Sequence, residues 1–252
     1  MDKAAALVTG GAYRIGRAIA QSLAQAGHPV AIHCHRSHAA AQDLADQIIA
    51  SGGKACVVVG DLQQIDRLEP IVADAQTALG AIGILVNNAS LFEDDSIADL
   101  TPKSLTAHLN VNLSAPCLLA SAVAKLLPQD RSGLIVNLID QRVLRPNPQF
   151  FSYSMAKAGL WWATKTMAQA LAPRIRVVAI APGPTLPSVR QSKDDFMRQQ
   201  QAVLLHRGPD LGEFGATIEW ILRTPSLTGQ LIALDGGQHL AWETPDISGI
   251  HE

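Results

Sequence analysis

The sequence predicts an α/β protein, a parallel sheet with helices on both faces. Three observations predict it. Short Val, Ile, Leu and Ala runs of strand length alternate with longer stretches of helical period, and Gly, Asn, Asp and Pro punctuate the junctions. The composition agrees: 48% of the 252 residues are hydrophobic, only 4% are aromatic and 19 are glycine, a mix that suits helices packed closely on a sheet.

In chain order, the pattern predicts strands at Ala5 to Thr9, Val30 to Cys34, Ala55 to Val59, Ile84 to Asn87, Gly133 to Leu138, Arg176 to Ile180 and Gln230 to Leu234. Helical period predicts helices at Arg14 to Ala26, Ala39 to Ser51, Ile65 to Leu79, Pro102 to Leu127 with a break near Pro116, Tyr153 to Leu171, and Leu211 to Leu222. The segment 182–207 departs from this rhythm. It opens on Pro182, Pro184 and Pro187 and continues charged and Gln-rich, so it reads as a substrate-covering loop with a mobile helix. Residues 1–240 form one domain, because no linker or repeat divides them, and 241–252 read as a loose or partner-contacting tail.

A net charge of −2 with 17% charged residues excludes disorder and argues against a nucleic-acid partner. No apolar run of membrane-spanning length stands out, so no membrane association is expected. Cys34, Cys56 and Cys117 are odd in number and form no C-x-x-C pair, which fits reduced thiols in a cytoplasm.

The first strand runs into Gly10-Gly11-Ala12-Tyr13-Arg14-Ile15-Gly16 and then a helix. Backbone N–H groups and the positive end of a helix dipole meet there, which favours a pyrophosphate; a plain strand-to-helix turn is the rival reading. At the end of the second strand stand His33, Cys34, His35, Arg36 and Ser37. A carboxylate for an adenosine 2′-hydroxyl is missing, whereas a guanidinium with a neighbouring hydroxyl suits a 2′-phosphate, so NADPH is the expected cofactor. A metal cluster of His33, His35 and His38 is the alternative, and no carboxylate or cysteine at ligand spacing completes it. Asp61 and Leu62 follow the third strand, where Asp61 reads either as an adenine neighbour or as a helix cap. Tyr153 and Lys157 lie four apart and share a helix face, so the ammonium is expected to lower the phenol's pKa and make it a proton donor.

Taken together, TGGAYRIG, Asn87-Asn88-Ala89, Asn112, the Tyr153 to Lys157 pair, Pro182-Gly183 and the closing Leu234-Asp235-Gly236-Gly237 resemble the short-chain dehydrogenase/reductase family from about residue 4 to 240. The resemblance implies a single seven-stranded, doubly wound Rossmann-type domain and hydride transfer from a nicotinamide. It also implies Tyr153 as proton donor, Lys157 on the nicotinamide ribose, Asn112 holding a water in a proton relay, and a homotetramer or homodimer. Two positions depart from the usual pattern. Asp140 stands thirteen residues before Tyr153, where the family usually has serine, and Arg14 replaces the middle glycine of T-G-x-x-x-G-x-G. An aspartate would repel a developing oxyanion, yet it suits a C=N substrate, whose developing charge sits on a nitrogen that needs a proton.

Both departures, together with HCHRS and Asn88-Ala89-Ser90-Leu91-Phe92, resemble the pteridine reductase branch, and the ending from Thr228 to Leu240 is similar to the bacterial dihydromonapterin reductases. This resemblance implies that Arg14 reaches pyrophosphate and pterin, Ser90 contacts cofactor or substrate, Thr185 touches the phosphates, and Phe92 covers one face of a small planar pterin. Phe92 as a loop aromatic and Arg14 as a phosphate ligand alone are the rival readings. Two other functions remain open: a ketone reductase with Asp140 in place of serine, and an NADPH-binding regulator without turnover. The adjacent Trp161 and Trp162 point about 100° apart on their helix, so at least one leaves the sheet-facing side, toward an oligomer interface or into ordinary core packing. His206 reads as either a substrate-mouth or a surface residue.

Overall fold

In a computed structural model, residues 3–188, 190–244 and 247–249 are described. Within the expected substrate loop, Val189 lies outside these, as do residues 245, 246 and 250–252 of the tail. Seven strands form one parallel sheet: β1 Ala5–Val8, β2 Val30–Cys34, β3 Ala55–Val59, β4 Ile82–Asn87, β5 Gly133–Leu138, β6 Ile175–Pro182 and β7 Leu231–Leu234. Their spatial order is β3-β2-β1-β4-β5-β6-β7. The chain therefore winds outward from β1 to β3 and crosses back to β4 beside β1, the switch point where such sheets open a crevice at their carboxyl ends.

The helices are α1 Arg14–Gln25, α2 His38–Ala50, α3 Glu69–Leu79, α4 Pro102–Leu109, α5 Ala115–Leu126, α6 Phe151–Leu171, α7 Lys193–Gln201 and α8 Leu211–Arg223. Successive strand residues point to opposite faces, and both faces are covered. Val8, Ile32, Val86 and Val136 pack with α1, α2 and α8, while Leu7, Ala31, Leu85 and Ile135 pack with α3, α5 and α6.

Prolines account for two differences from the predicted helices. Pro70 has no N–H for the carbonyl of Asp66, so the predicted helix from Ile65 begins as a short 3-10 turn, Ile65–Arg67, and restarts at Glu69. The predicted Pro102 to Leu127 helix is interrupted by a π-helical turn at Asn110–Ser114, just ahead of Pro116. The continuous 102–126 stretch is long and apolar enough to cross a membrane, with a mean hydropathy of 1.3 over its most apolar window, contrary to the sequence reading. Its buried residues, including Leu119, Ala120 and Val123, belong to the core beneath the sheet, so it is a core helix. Strand β4 starts two residues earlier than predicted and β6 runs one residue before and two beyond its predicted limits, each extension being paired to a neighbouring strand. Segment 182–207 contains α7, capped by the Ser192 hydroxyl, which accepts from the Asp195 amide at 3.0 Å.

A polar ladder crosses the buried centre. Asn87 Nδ2 donates to Asn137 Oδ1 at 2.8 Å, and Asn137 Nδ2 donates to Thr164 Oγ1 at 2.9 Å. This ladder fastens β4 and β5 to α6, the helix that carries Tyr153 and Lys157.

Candidate active site

The carboxyl ends of the central strands open into a cavity of about 670 Å³, lined from Gly10, Tyr13 and Gly16 past His35, Asp61 and Leu62 to Asn88–Phe92, Asp140, Tyr153 and Lys157. Its floor is built by close backbone approach. A Cβ on Gly16 would lie 2.3 Å from the Gly10 oxygen and 2.5 Å from Asn88 Nδ2, so only glycine fits where α1 meets the loop. Thr9 Oγ1 accepts from the amides of Asn88 and Ala89, both at 3.0 Å. Asn88 Nδ2 donates to the Thr9 and Gly10 carbonyls at 2.9 and 3.2 Å. The side chain of Asn88 thus shapes the crevice, and its amide is already occupied.

The start of α1 has open donors. Its N-cap, Tyr13, offers no side-chain acceptor, and no acidic residue stands in its first turn. N–H groups at such a helix end are suited to a pyrophosphate. Together with the cavity's length and the cradle closed by Gly16, this donor set fits a dinucleotide.

Arg14 occupies the left-handed region at φ +53°, a conformation that favours the glycine it replaces and costs a side-chain-bearing residue roughly 1–2 kcal/mol. Its guanidinium donates to the carbonyls of Leu186 and Pro187 at 3.2 and 3.0 Å. It therefore ties the glycine loop to segment 182–207. Thr185 donates to the Gly183 carbonyl at 3.1 Å, and lines an adjoining cavity with Arg14, Phe92 and Asp140. Arg36 and Ser37 follow β2 beyond the residues that line either cavity, whereas His35 lines the first, with Nδ1 3.8 Å from Asp61 Oδ1. Asp61 Oδ1 also accepts from the Gln63 amide at 3.0 Å, which makes it a turn cap.

His33 is buried with both ring nitrogens engaged: Nδ1 accepts from the Gly10 amide at 3.3 Å, which leaves Nε2–H to donate to the Gly60 carbonyl at 3.2 Å. That arrangement requires a neutral ring and leaves no lone pair for a metal. Burial lowers its pKa from 6.5 to about 4, with the Gly60 hydrogen bond opposing the shift. Between those values the unfolded chain binds the proton and the folded chain does not. The His33 contribution is therefore complete above pH 6.5 and lost as pH falls toward 4, a loss of roughly 3 kcal/mol. Unfolding free energies across that window should fall more steeply in the native protein than in His33→Asn; equal slopes would contradict the assignment.

The candidate catalytic residues meet at the ends of β5 and α6. Tyr153 Oη donates to Asp140 Oδ2 at 2.7 Å, and Asp140 Oδ1 accepts from the Arg142 amide at 2.8 Å. Lys157 Nζ donates to the Leu138 carbonyl at 2.7 Å and lies 5.7 Å from the Tyr153 ring centroid. The expected lowering of the phenol's pKa is not found. Burial and the Asp140 carboxylate push it well above 10, against a smaller opposing effect of Arg142. Burial lowers the Lys157 pKa to about 8, while Asp140 works the other way. Tyr153 is accordingly a neutral phenol that donates its proton to the Asp140 hydrogen bond.

The side chain of Asn112 is engaged on both ends, accepting from Ser90 Oγ and the Leu91 amide and donating to the Leu91 carbonyl at 2.8 Å. It holds the 90–91 loop in place. Its backbone carbonyl differs, because its α-helical partner would be residue 116, a proline without an N–H. Phe92 stacks on Phe150 with centroids 4.2 Å apart and packs T-shaped against Tyr153 at 4.7 Å.

The chain matches the short chain dehydrogenase family over residues 4–198. The chain belongs to that family. It is a short chain oxidoreductase with the seven-stranded doubly wound sheet its sequence predicts. A 3-oxoacyl-[acyl-carrier-protein] reductase of Synechocystis sp. is 32% identical over 237 residues, 92% of this chain and 95% of that protein. FolM alternative dihydrofolate reductase 1 from Brucella suis, solved in complex with NADP, is similar with a TM-score of 0.95 at 54% identity, covering 97% of this chain and 98% of that one. The Brucella canis FolM complexed with NADP matches at 0.95 and 54%, covering 98% of each.

Sequence reasoning missed Phe150, Arg142, Arg190 and Asp95. Asp95 is buried: Oδ1 accepts from the Ser152 amide at 3.0 Å, Oδ2 from the Ser104 hydroxyl at 2.7 Å, and its carbonyl from the Phe151 amide at 3.1 Å. It caps α6 from a distant loop, because the N-cap Phe150 has no capping side chain. Burial alone would raise the Asp95 pKa, but the Ser152 and Ser104 hydrogen bonds outweigh it and hold the carboxyl below the usual range. Asp95→Ala should destabilise the protein by about 2–4 kcal/mol by leaving two donors unpaired, read from thermal unfolding at neutral pH. An unchanged melting temperature would remove this capping role.

Proposed function

We propose that this short chain oxidoreductase uses NADPH to reduce a C=N bond in a dihydropterin ring, free or within a folate. The Tyr153 to Asp140 hydrogen bond carries the reading. An anionic acceptor at this position opposes an alkoxide-like oxygen and suits a nitrogen that must gain a proton. The cofactor is NADP(H); the complexes of the 54% identical Brucella proteins with NADP support it, and Arg36 with Ser37 supply a 2′-phosphate site.

When bound, the nicotinamide supplies the hydride. Tyr153 and Asp140 hold and move the proton for the imine nitrogen as a coupled pair. The Lys157 ammonium offsets the negative charge left on that pair, and the proton-free carbonyl of Asn112 is the acceptor for a relay water. Gly10 to Gly16 hold the pyrophosphate, with Tyr13 and Ile15 beside it. Asp61 and Leu62 flank the adenine. Ala89, Ser90, Pro182, Gly183 and Thr185 line the nicotinamide end. Phe92 gives the substrate ring a stacking face and Arg14 offers it fixed donors.

A ketone reductase is the second reading, favoured by the name of the Synechocystis relative. Asp140→Ser separates the two. Collapse of dihydropterin turnover without gain on a 3-oxoacyl thioester fits the first reading, and improved ketone turnover fits the second. We further propose a homodimer or homotetramer in a reducing cytoplasm, supported by Trp162, 66% exposed while Trp161 packs inward, and by three unpaired cysteines. Trp162→Glu should lower the mass measured by sedimentation; an unchanged mass would exclude this face.

A further inference from the structure

The adjoining cavity, about 490 Å³, begins at Asp140 and Phe92 and runs out between Arg142, Phe150 and segment 182–207. Two features of it are not used by the chemistry above. First, Arg142 Nη1 is buried without a hydrogen-bond partner, an unusual state for a guanidinium donor, since a buried donor left unpaired has lost its water without a replacement acceptor. Second, the stacked Phe92 and Phe150 rings carry cations at their rim. The Arg142 Cζ lies 5.4 and 5.0 Å from the two centroids, and the Arg190 Cζ lies 5.5 and 5.6 Å from them. Near-equal distances to both rings put each guanidinium beside the stack rather than over one face. Arg190 is fixed there by donating to the Phe92 carbonyl at 2.7 Å.

The charge around this cavity is unbalanced. Arg14 and Arg142 line it, and Asp140 is the acidic side chain among its lining residues, already engaged with Tyr153 and the Arg142 amide. Further out the walls carry neutral amides, among them Asn147, Gln149 and Gln199.

We infer that Arg142, with Arg190 beside it, selects a substrate whose flat ring bears an anionic arm, a carboxylate being the group that matches an unpaired guanidinium. The inference rests on the dihydropterin reading and narrows it to the carboxylate-bearing conjugates. The ring stacks at Phe92 near Tyr153, and the arm runs outward past Phe150, where Arg142 Nη1 gains its acceptor. A guanidinium donates in a fixed planar fork that fits a carboxylate, and the apolar rings around it keep the pair partly out of water.

The test compares two substrates with the same ring, 7,8-dihydrofolate with its glutamate arm and 7,8-dihydrobiopterin with a neutral one. The readout is the ratio of their kcat/KM values, which cancels any loss of folded enzyme. Arg142→Gln should lower the dihydrofolate to dihydrobiopterin ratio by at least about tenfold, and Arg142→Lys should keep most of it, because truncating one partner of a charge pair costs affinity for the charged ligand alone. In the unaltered enzyme, added salt should lower kcat/KM for dihydrofolate and leave that for dihydrobiopterin nearly level. A ratio within about threefold of the native value in Arg142→Gln, with both substrates still turned over, overturns the inference and leaves the dihydropterin reading intact. No turnover of either substrate by the native enzyme overturns both.

Discussion

Tyr153→Phe is expected to lower kcat by at least about 100-fold while NADPH affinity stays within about threefold. The phenol is the donor in the 2.7 Å contact with Asp140, and its pKa stands well above 10, so at working pH it is the group with a proton to give. Phenylalanine keeps the ring and its T-shaped contact with Phe92 while removing that proton. Asp140→Ala should cost at least about tenfold in kcat, since the phenol then loses its acceptor and the pair its second member. The double variant should fall little below Tyr153→Phe alone, because residues that act as one unit are not additive. Fluorescence titration with NADPH beside steady-state rates checks all three. Native rates in either single variant would remove the proposed proton pair.

Gly16→Ala is expected to abolish tight NADPH binding and to destabilise the fold by about 1–3 kcal/mol, the usual cost of overpacking a rigid contact. The added methyl would sit 2.3 Å from a backbone oxygen and 2.5 Å from Asn88 Nδ2. The glycine loop, the Asn88 amide and the first turn of α1 cannot all hold their places. Because these groups also shape the floor under the cofactor, the binding loss should exceed what instability alone explains. Calorimetric titration with NADPH at a temperature where the variant is folded separates the two effects. Native affinity would show that the loop accommodates a side chain there.

The parts of this molecule legible in its sequence are those where a period or a spacing carries the information. Strand runs and helical period gave the parallel sheet, and β2 matches its predicted limits from Val30 to Cys34. Tyr153 and Lys157 are visible because four residues on a helix share a face. Asp140 was singled out by the family resemblance, as the residue standing where serine is usual, and it touches Tyr153. Asp95, Arg142 and Phe150 were invisible for a common reason. Each lies in a loop, a single short turn or a helix cap, too short to show a period, and each acts through a contact far along the chain, as when Asp95 reaches Ser152 across 57 positions. Asn112 was singled out by the family resemblance, and the structure adds a second task to the one that resemblance implies. Its side chain orders the loop before Phe92, which no spacing could show. The direction of the Tyr153 pKa was misread because helix spacing reveals Lys157 as a neighbour but not the burial that governs the phenol.

The proposed adaptation of this short chain oxidoreductase to a C=N bond rests on the carboxylate beside Tyr153. It is tested most directly by NADPH consumption with the native enzyme on a dihydropterin panel and on a 3-oxoacyl thioester under the same conditions. The kcat/KM for the best dihydropterin is expected to stand at least about 100-fold above that for the thioester. Turnover of the thioester with none on any dihydropterin would contradict it.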